Sequence, residues 1–308
     1  ANVRFKILGK KGSAPSRTFF PSGCLKVISE QMEGLDALLI RGPSPLLPPL
    51  CRRARRNGVP PVLLIVGNYV DGIPELRQPF LRKQIIGMYL RIYNNLQKRE
   101  IPSCMTFVNS RKLFDEFIGF GGNVLETRTT TLDEQDFWRR EDTCGGGTIR
   151  LLYTGRYDIA KGIKLIIKSL YELAAKGYRC RLDLAGWDPS GGGTLAELMR
   201  FAASLGVNML ITDYGFKPVG EELWAIYRNS DIFVNASQAS EGFPRTIWEA
   251  MANSVPVVAT DVGSIRAYAD DAVEVVAPRD QSALTAGIER IILDRDLRRQ
   301  RIRNGLAL

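Results

Sequence analysis

The chain has 308 residues, 45% of them hydrophobic and 24% charged, and carries a formal net charge of +9. That length divides naturally into two α/β domains, and no apolar run approaches the roughly 20 residues that a membrane span needs. Histidine is absent, which removes Ser-His and Cys-His catalytic pairs and the commonest general base.

The charge is unevenly placed. Residues 1–112 hold 19 Lys/Arg against 6 Asp/Glu, residues 113–147 hold 3 against 8, and the remainder hold 20 against 19. A basic first half points to anionic partners such as phosphoryl groups or an anionic lipid surface, and a merely solvated basic face has the same composition. The basic stretches lack interleaved aromatics or a nucleic-acid motif, so no nucleic-acid partner is expected. Cys24, Cys51, Cys104, Cys144 and Cys180 are scattered without C-x-x-C spacing, and neither they nor the carboxylates cluster, so no metal and no cofactor are expected. Free thiols in a reducing cytoplasm are the expected state. The chain opens at Ala1 without Met and stops at "RNGLAL" after a charged helix, which reads as a fragment at both ends.

In chain order, apolar runs suited to buried parallel strands occupy 3–8, 36–41, 61–66 and 104–108. Helical segments lie between them at 46–58, ending in Gly58, and at 79–100. The stretch "RREDTCGGG" (139–147) reads as an inter-domain linker, which sets domains of 1–140 and 148–308. Strand and helix then alternate strictly. The strands are 149–155, 180–186, 208–215, 231–237, 255–260 and 272–277. The helices include 161–177, 194–206, 221–229, the segment bearing Glu249, and 281–294. Such alternation predicts a doubly wound parallel sheet with helices on both faces.

In such sheets ligands sit beyond the carboxyl ends of the strands, which selects loops. In "TGRYDIAKG" (154–162), Gly155 permits a tight strand exit, and Arg156 and Lys161 bracket a helix N-terminus that favours phosphate. Solvated surface charges fit the same residues. In "SQASEGFPRTIWEAMA", Pro244 suits the first helical position, which leaves the amides of Arg245, Thr246 and Ile247 as donors. Glu241 lies on the loop beside that anion site, and Glu249 lies in an apolar helical setting where a carboxylate needs partners. A ribose diol would supply two donors. In "DYGFKPVG" (213–220), the backbone around Phe216 and Lys217 could edge a nucleobase or form a plain turn.

Together "GRYDIAKG", "LAGWDP", "YGFKP" and "SEGFPRTIWEAMANSVPVVATDVGS" resemble the family 4 glycosyltransferases. The resemblance covers 104–308 well and 1–103 only in general strand-helix order. It implies the GT-B fold, two Rossmann-like doubly wound parallel-sheet domains facing a cleft, with the N-terminal part of the first domain lacking here. It also implies a retaining, metal-independent, bacterial and cytoplasmic hexosyltransferase of polysaccharide or glycoconjugate assembly, in which the leaving phosphate takes the acceptor proton. The donor would be a nucleotide-diphospho-sugar and the acceptor a saccharide or lipid-linked molecule, with peripheral contact at the inner face of an anionic membrane.

By resemblance, Gly155, Arg156 and Lys161 would hold the diphosphate. Glu241 would touch hydroxyls of the transferred sugar, with the amides of Gly242 and Phe243 nearby. Arg245 and Thr246, after Pro244, would give amides to phosphate, and Glu249 would bind ribose. Arg41 and Asn68 stand where the family pattern suggests histidines. Two other expectations stand beside this one: a GT-B nucleotide-sugar epimerase, and a non-catalytic basic protein of the same fold.

Overall fold

The computed structural model describes residues 22–70, 73, 78–127, 132–238 and 242–308, so the strand expected over 3–8 lies outside the described residues. The chain divides into two compact units at Arg128 and Thr129. Among the described residues, no helix is long and apolar enough to cross a membrane.

The first unit contains α1 (Ser22–Ser29), β1 (Leu38–Gly42), α2 (Leu47–Arg56), β2 (Pro61–Ile65), α3 (Phe80–Lys98), β3 (Met105–Val108), α4 (Arg111–Ile118) and β4 (Asn123–Glu126). Its strands pair in parallel in the order β1-β2-β3-β4. Ile40, Leu63, Ile65 and Val108 meet Leu47, Cys51, Ala54 and Phe117 in one core. The sequence pattern did not announce α4 or β4. The first is only eight residues long and is set off by Ser110, whose hydroxyl accepts from the Leu113 amide at 3.4 Å.

The second unit contains β5 (Ile149–Arg156), α5 (Ile163–Ala175), β6 (Cys180–Trp187), α6 (Gly193–Ser204), β7 (Ile211–Asp213), α7 (Glu221–Arg228), β8 (Ile232–Asn235), α8 (Arg245–Ala252), β9 (Val257–Thr260), α9 (Ile265–Ala269), β10 (Val273–Val276), α10 (Gln281–Leu293) and α11 (Arg295–Ala307). The all-parallel sheet has the order β10-β9-β8-β5-β6-β7. The chain therefore runs outward from β5 through β7, returns, and continues outward the other way from β8. Side chains alternate across the sheet. Leu151 and Tyr153 enter the core formed with α5, α6 and α10, while Leu152 enters the core formed with α7, α8 and α9. The strand expected over 208–215 shortens to Ile211–Asp213, because Asn208–Leu210 closes a 3-10 turn.

The stretch read as a linker is bound to the second unit instead. The Trp138 amide donates to Ala252 O at 2.8 Å, and Ser254 Oγ donates to Trp138 O at 2.6 Å. The Arg140 guanidinium donates to the carbonyls of Arg228, Ser230 and Ser254. The Cys144 amide donates to Asp231 at 2.7 Å, and Asp142 accepts from Arg295 and Arg298 at 2.9 and 2.7 Å. Charge followed by glycine signals exposure, but composition alone does not distinguish a free linker from a strap whose charges find partners. Replacing Arg140 by Ala leaves three carbonyls without their donor and should cost the second unit about 2–3 kcal/mol. Denaturant unfolding checks this, and Arg140→Lys should recover only part of the loss because an ammonium lacks the guanidinium fork.

Candidate active site

β5 and β8 are sheet neighbours whose chains leave toward opposite faces, β5 into α5 and β8 into α8. Their carboxyl ends therefore flank the crevice at the switch point of the sheet. The two loops singled out in the sequence are these two exits.

At the β5 exit, Lys161 does not open the helix but closes a 3-10 turn, Ile159–Lys161, and α5 begins at Ile163. Asp158 caps the turn, its Oδ1 accepting from the Ala160 amide at 3.0 Å, while its Oδ2 pairs with Arg156 Nη2 at 3.1 Å. Gly155 and Gly162 have φ of +132° and +66°. A Cβ on Gly162 would stand 2.0 Å from Ala236 O, so only glycine lets the two exits press together there. The contact is fastened by the Gln238 amide, which donates to Ala160 O at 2.7 Å.

At the β8 exit, Glu241 lies outside the described residues. Gly242 and Phe243 are half-buried, and the Phe243 ring lies 4.4 Å from that of Trp248 and 6.0 Å from that of Tyr268. Pro244 is the N-cap of α8, one position earlier than expected, with φ −66° and an extended ψ of 123°. Its carbonyl accepts from the Ile247 amide at 3.0 Å. Ile247 is thus removed from the three expected free donors. The amides of Arg245 and Thr246 have no acceptor among the described residues.

Glu249 is 6% exposed, and its Oε2 accepts from the Tyr227 hydroxyl at 2.9 Å. The Tyr227 oxygen lies 2.6 Å from Thr154 Oγ1. Because the tyrosine gives its proton to the carboxylate, the threonine is the donor of that second bond. Burial pushes the Glu249 pKa up, against the Tyr227 hydrogen bond and the charge of Arg245. Burial likewise drives Tyr227 well above the ordinary phenol value. Thr154 precedes Gly155, so this chain of hydroxyls joins the end of β5 to the inner face of α8. Neither Tyr227 nor Thr154 was singled out in the sequence. The usable signal was a hydroxyl-bearing ring in the apolar run "LWAIY", one position where a polar tip needs a buried partner.

Phe216 and Lys217 lie at the β7 exit, two strands from β5. Phe216 is 65% exposed, and Lys217 pairs with Glu222 at 3.1 Å. Their loop is joined to the edge by the Gly186 amide donating to Gly215 O at 2.9 Å and by the Tyr157 hydroxyl donating to Asp213 at 2.5 Å. Among the described residues no hydrogen bond or ion pair links them to Glu249. In the first unit, Asn68 donates to both oxygens of Glu116, at 3.0 and 2.9 Å. Among the described residues, no three His, Cys, Asp or Glu side chains are placed to hold a metal ion.

The family described as "Glycosyl transferases group 1" matches residues 134–307. Protein CapJ of Staphylococcus aureus is 24% identical over 97% of this chain and 74% of its own length. The D-inositol 3-phosphate glycosyltransferase of Geodermatophilus obscurus is 33% identical over 156 residues, which are 48% of this chain and about a third (34%) of that protein. Among solved structures, that of Anabaena HepE in complex with UDP and glucose aligns over 97% of this chain and 79% of its own. It does so at a TM-score of 0.72 and 20% identity, a likeness of fold.

A carboxyl that holds its proton to higher pH when folded costs stability as pH rises from its ordinary value through its folded one. Glu249→Gln should therefore keep or raise the melting temperature at neutral pH, and its difference from the wild type should shrink in acid. A larger loss at neutral than at acid pH would contradict the burial account. Tyr227→Phe leaves the carboxylate without its donor and should lower stability by about 1–3 kcal/mol.

Proposed function

Because the chain belongs to the group 1 glycosyl transferases and has the GT-B fold, we propose that it moves a hexosyl unit from a nucleotide-diphospho-sugar to a saccharide or lipid-linked acceptor. In this reading it is a family 4 enzyme that retains the anomeric configuration, uses no metal, and works in polysaccharide or glycoconjugate assembly at the cytoplasmic face of a membrane. The observation that carries the reading is the switch point. Two cations on the β5 exit, the helix-start amides of Arg245 and Thr246 and the buried carboxylate of Glu249 belong to adjoining strand ends. That HepE was solved with UDP and glucose favours a donor of the same chemical kind.

The residues then take separate tasks. Arg156 and Lys161, with the amides of Arg245 and Thr246, bind the diphosphate and stabilise the negative charge that develops as the bond from the anomeric carbon to the phosphate oxygen breaks. The acceptor oxygen forms its bond to that carbon on the same face, and its proton passes to the departing phosphate. Glu249 accepts from the ribose diol, held in position by Tyr227 and Thr154. Glu241 receives hydroxyls of the transferred sugar. Phe216 and Lys217 border the nucleobase.

The test starts with a thermal-shift panel of UDP-, GDP- and ADP-sugars to find the donor. Calorimetry should then show Lys161→Ala and Glu249→Ala each weakening that donor about tenfold or more, with chelation of divalent ions leaving affinity and turnover unchanged. NMR of the product should show the donor's anomeric configuration. No shift with any nucleotide sugar, or full affinity in both variants, would overturn the assignment.

A further inference from the structure

A cavity of about 360 Å³ lies within the second unit, away from the strand exits that carry Glu249 and Lys161. Asp183 of β6, Arg150 of β5, Tyr214 and Lys217 of the β7 exit, and Glu222 and Asn229 at the two ends of α7 line it. That volume falls in the range of roughly 300–1,000 Å³ found for small-molecule sites. Side chains of β6 alternate. Leu182 and Leu184 enter the core formed with α5, α6 and α10, so Arg181 and Asp183 face the other side of the sheet. A strand buried in a parallel sheet ordinarily has an aliphatic residue at such a position. Asp183 is instead a carboxylate only 4% exposed. Among the described residues no hydrogen bond or ion pair reaches it. Burial pushes its pKa up, against the charges of Arg150 and Arg181. A buried carboxylate at the wall of a cavity is tolerable where a ligand brings the donors.

The surrounding charges decide which donors suit it. Arg150 and Arg181 both act on the Asp183 charge, and Lys217 stands at the cavity wall in an ion pair with Glu222 at 3.1 Å. Three cations against two carboxylates disfavour a metal ion or an amine, which would meet repulsion there. Hydroxyl groups donate to a carboxylate without adding charge, and their oxygens accept from the Arg150 guanidinium. The Asn229 amide spends one donor on Ala225 O at 2.9 Å, which leaves its carbonyl oxygen to accept. Tyr214 is 40% exposed and offers an aromatic face with a polar tip. A molecule that alternates hydroxyls with C–H faces satisfies all four groups, and a saccharide is such a molecule.

We propose that this cavity is a second saccharide site, separate from the crevice at the switch point, in which Asp183 accepts from the hydroxyls of a neutral sugar. This goes beyond sugar transfer: Asp183, Arg150, Tyr214 and Asn229 have no task in that reaction, and only Lys217 belongs to both sites. The test is saturation-transfer NMR of the full chain with glucose, galactose, mannose and N-acetylglucosamine, each without nucleotide. At least one sugar should bind, and Asp183→Asn should weaken it about tenfold or more. Tyr214→Ala, at an exposed position, should weaken the same sugar. Asparagine is nearly isosteric with aspartate and carries no charge to desolvate. Asp183→Asn should therefore keep or raise the melting temperature and leave nucleotide-sugar affinity at the wild-type value.

Glu241→Ala separates the two sites, because the transfer reading places Glu241 on the sugar of the donor. A signal kept in Glu241→Ala and lowered in Asp183→Asn belongs to the cavity, whether or not any nucleotide sugar binds. Failure of the transfer reading is thus distinguishable from failure here. A signal undiminished in Asp183→Asn, a signal lost in Glu241→Ala, or no signal with any of the four sugars would overturn the proposal. Calorimetric binding of magnesium or spermidine that Asp183→Asn abolishes, with the sugars ignored, would do the same, since the ligand would then be a cation.

Discussion

Parallel pairing of β5 with β8 is the constraint on which the second unit depends. Leu151 opposes Ile232 and Leu152 opposes Phe233, although β6, β7 and the elements between them separate these strands in the chain. β5 passes into α5 in the core on one face, and β8 passes into α8 in the core on the other. The carboxyl ends are thereby held together while the chains leaving them diverge. What results is a crevice between the two strand exits at the switch point of the sheet. Gly162 against Ala236 sets how closely the exits approach, and the Gln238–Ala160 hydrogen bond keeps them from sliding. A buried carboxylate is tolerable at this edge because β5 and α7 bring Thr154 and Tyr227 to it.

Much of this frame was legible in the sequence, and the parts that were not share a cause. Long apolar runs such as 61–66 and 149–155 mark buried parallel strands whatever their partners. Strict alternation with helices fixes the winding of the second unit. The exits at 154–162 and 240–249 stood out because glycine, proline and charge fall between a strand and a helix. Tyr227 was hidden because an aromatic residue in an apolar helix reads as packing, and only the approach of Glu249 makes its hydroxyl matter. Pro244 falls one position outside the helix because its ψ is extended. The stretch at 139–147 reads as a linker for a related reason: the partners of its residues, Ser230, Ser254, Asp231 and Arg298, lie 87 to 156 residues further along the chain.

Helix α3 shows the same limit from the opposite direction. Periodicity reports that a helix has an apolar stripe and a polar one, and habit assigns the apolar stripe inward. Here the inner face carries a glycine and two amides. Gly87 rests near Ile73, and Gln97 lies so near β1 that a Cβ on Gly42 would come within 2.9 Å of its Oε1. The inward positions are held by Gly87, Asn94 and Gln97, and the aliphatic stripe of Leu81, Ile85, Met88 and Ile92 is left on the far side. The first unit thus carries both an excess of positive charge and an uncovered apolar ridge, and composition alone reports only the charge.

The lack of histidine bears on chemistry in a way the geometry sharpens. Arg156 and Lys161 offer positive charge to the diphosphate, and one oxygen of Glu249 accepts from Tyr227 on the inner side of α8. Under the proposed reading, the phosphate that leaves takes the acceptor's proton, and the protein's task is to make it leave. Arg156 serves that task at little expense. Its present partner is Asp158 in a largely exposed pair, and such pairs contribute about 0–1 kcal/mol. A diphosphate oxygen offers the same guanidinium a charge-assisted fork, roughly twice as strong as a neutral hydrogen bond. Exchange of partners therefore runs toward the phosphate. Asp158, freed of the guanidinium, still accepts from the Ala160 amide and keeps the 3-10 turn that carries Lys161 in place.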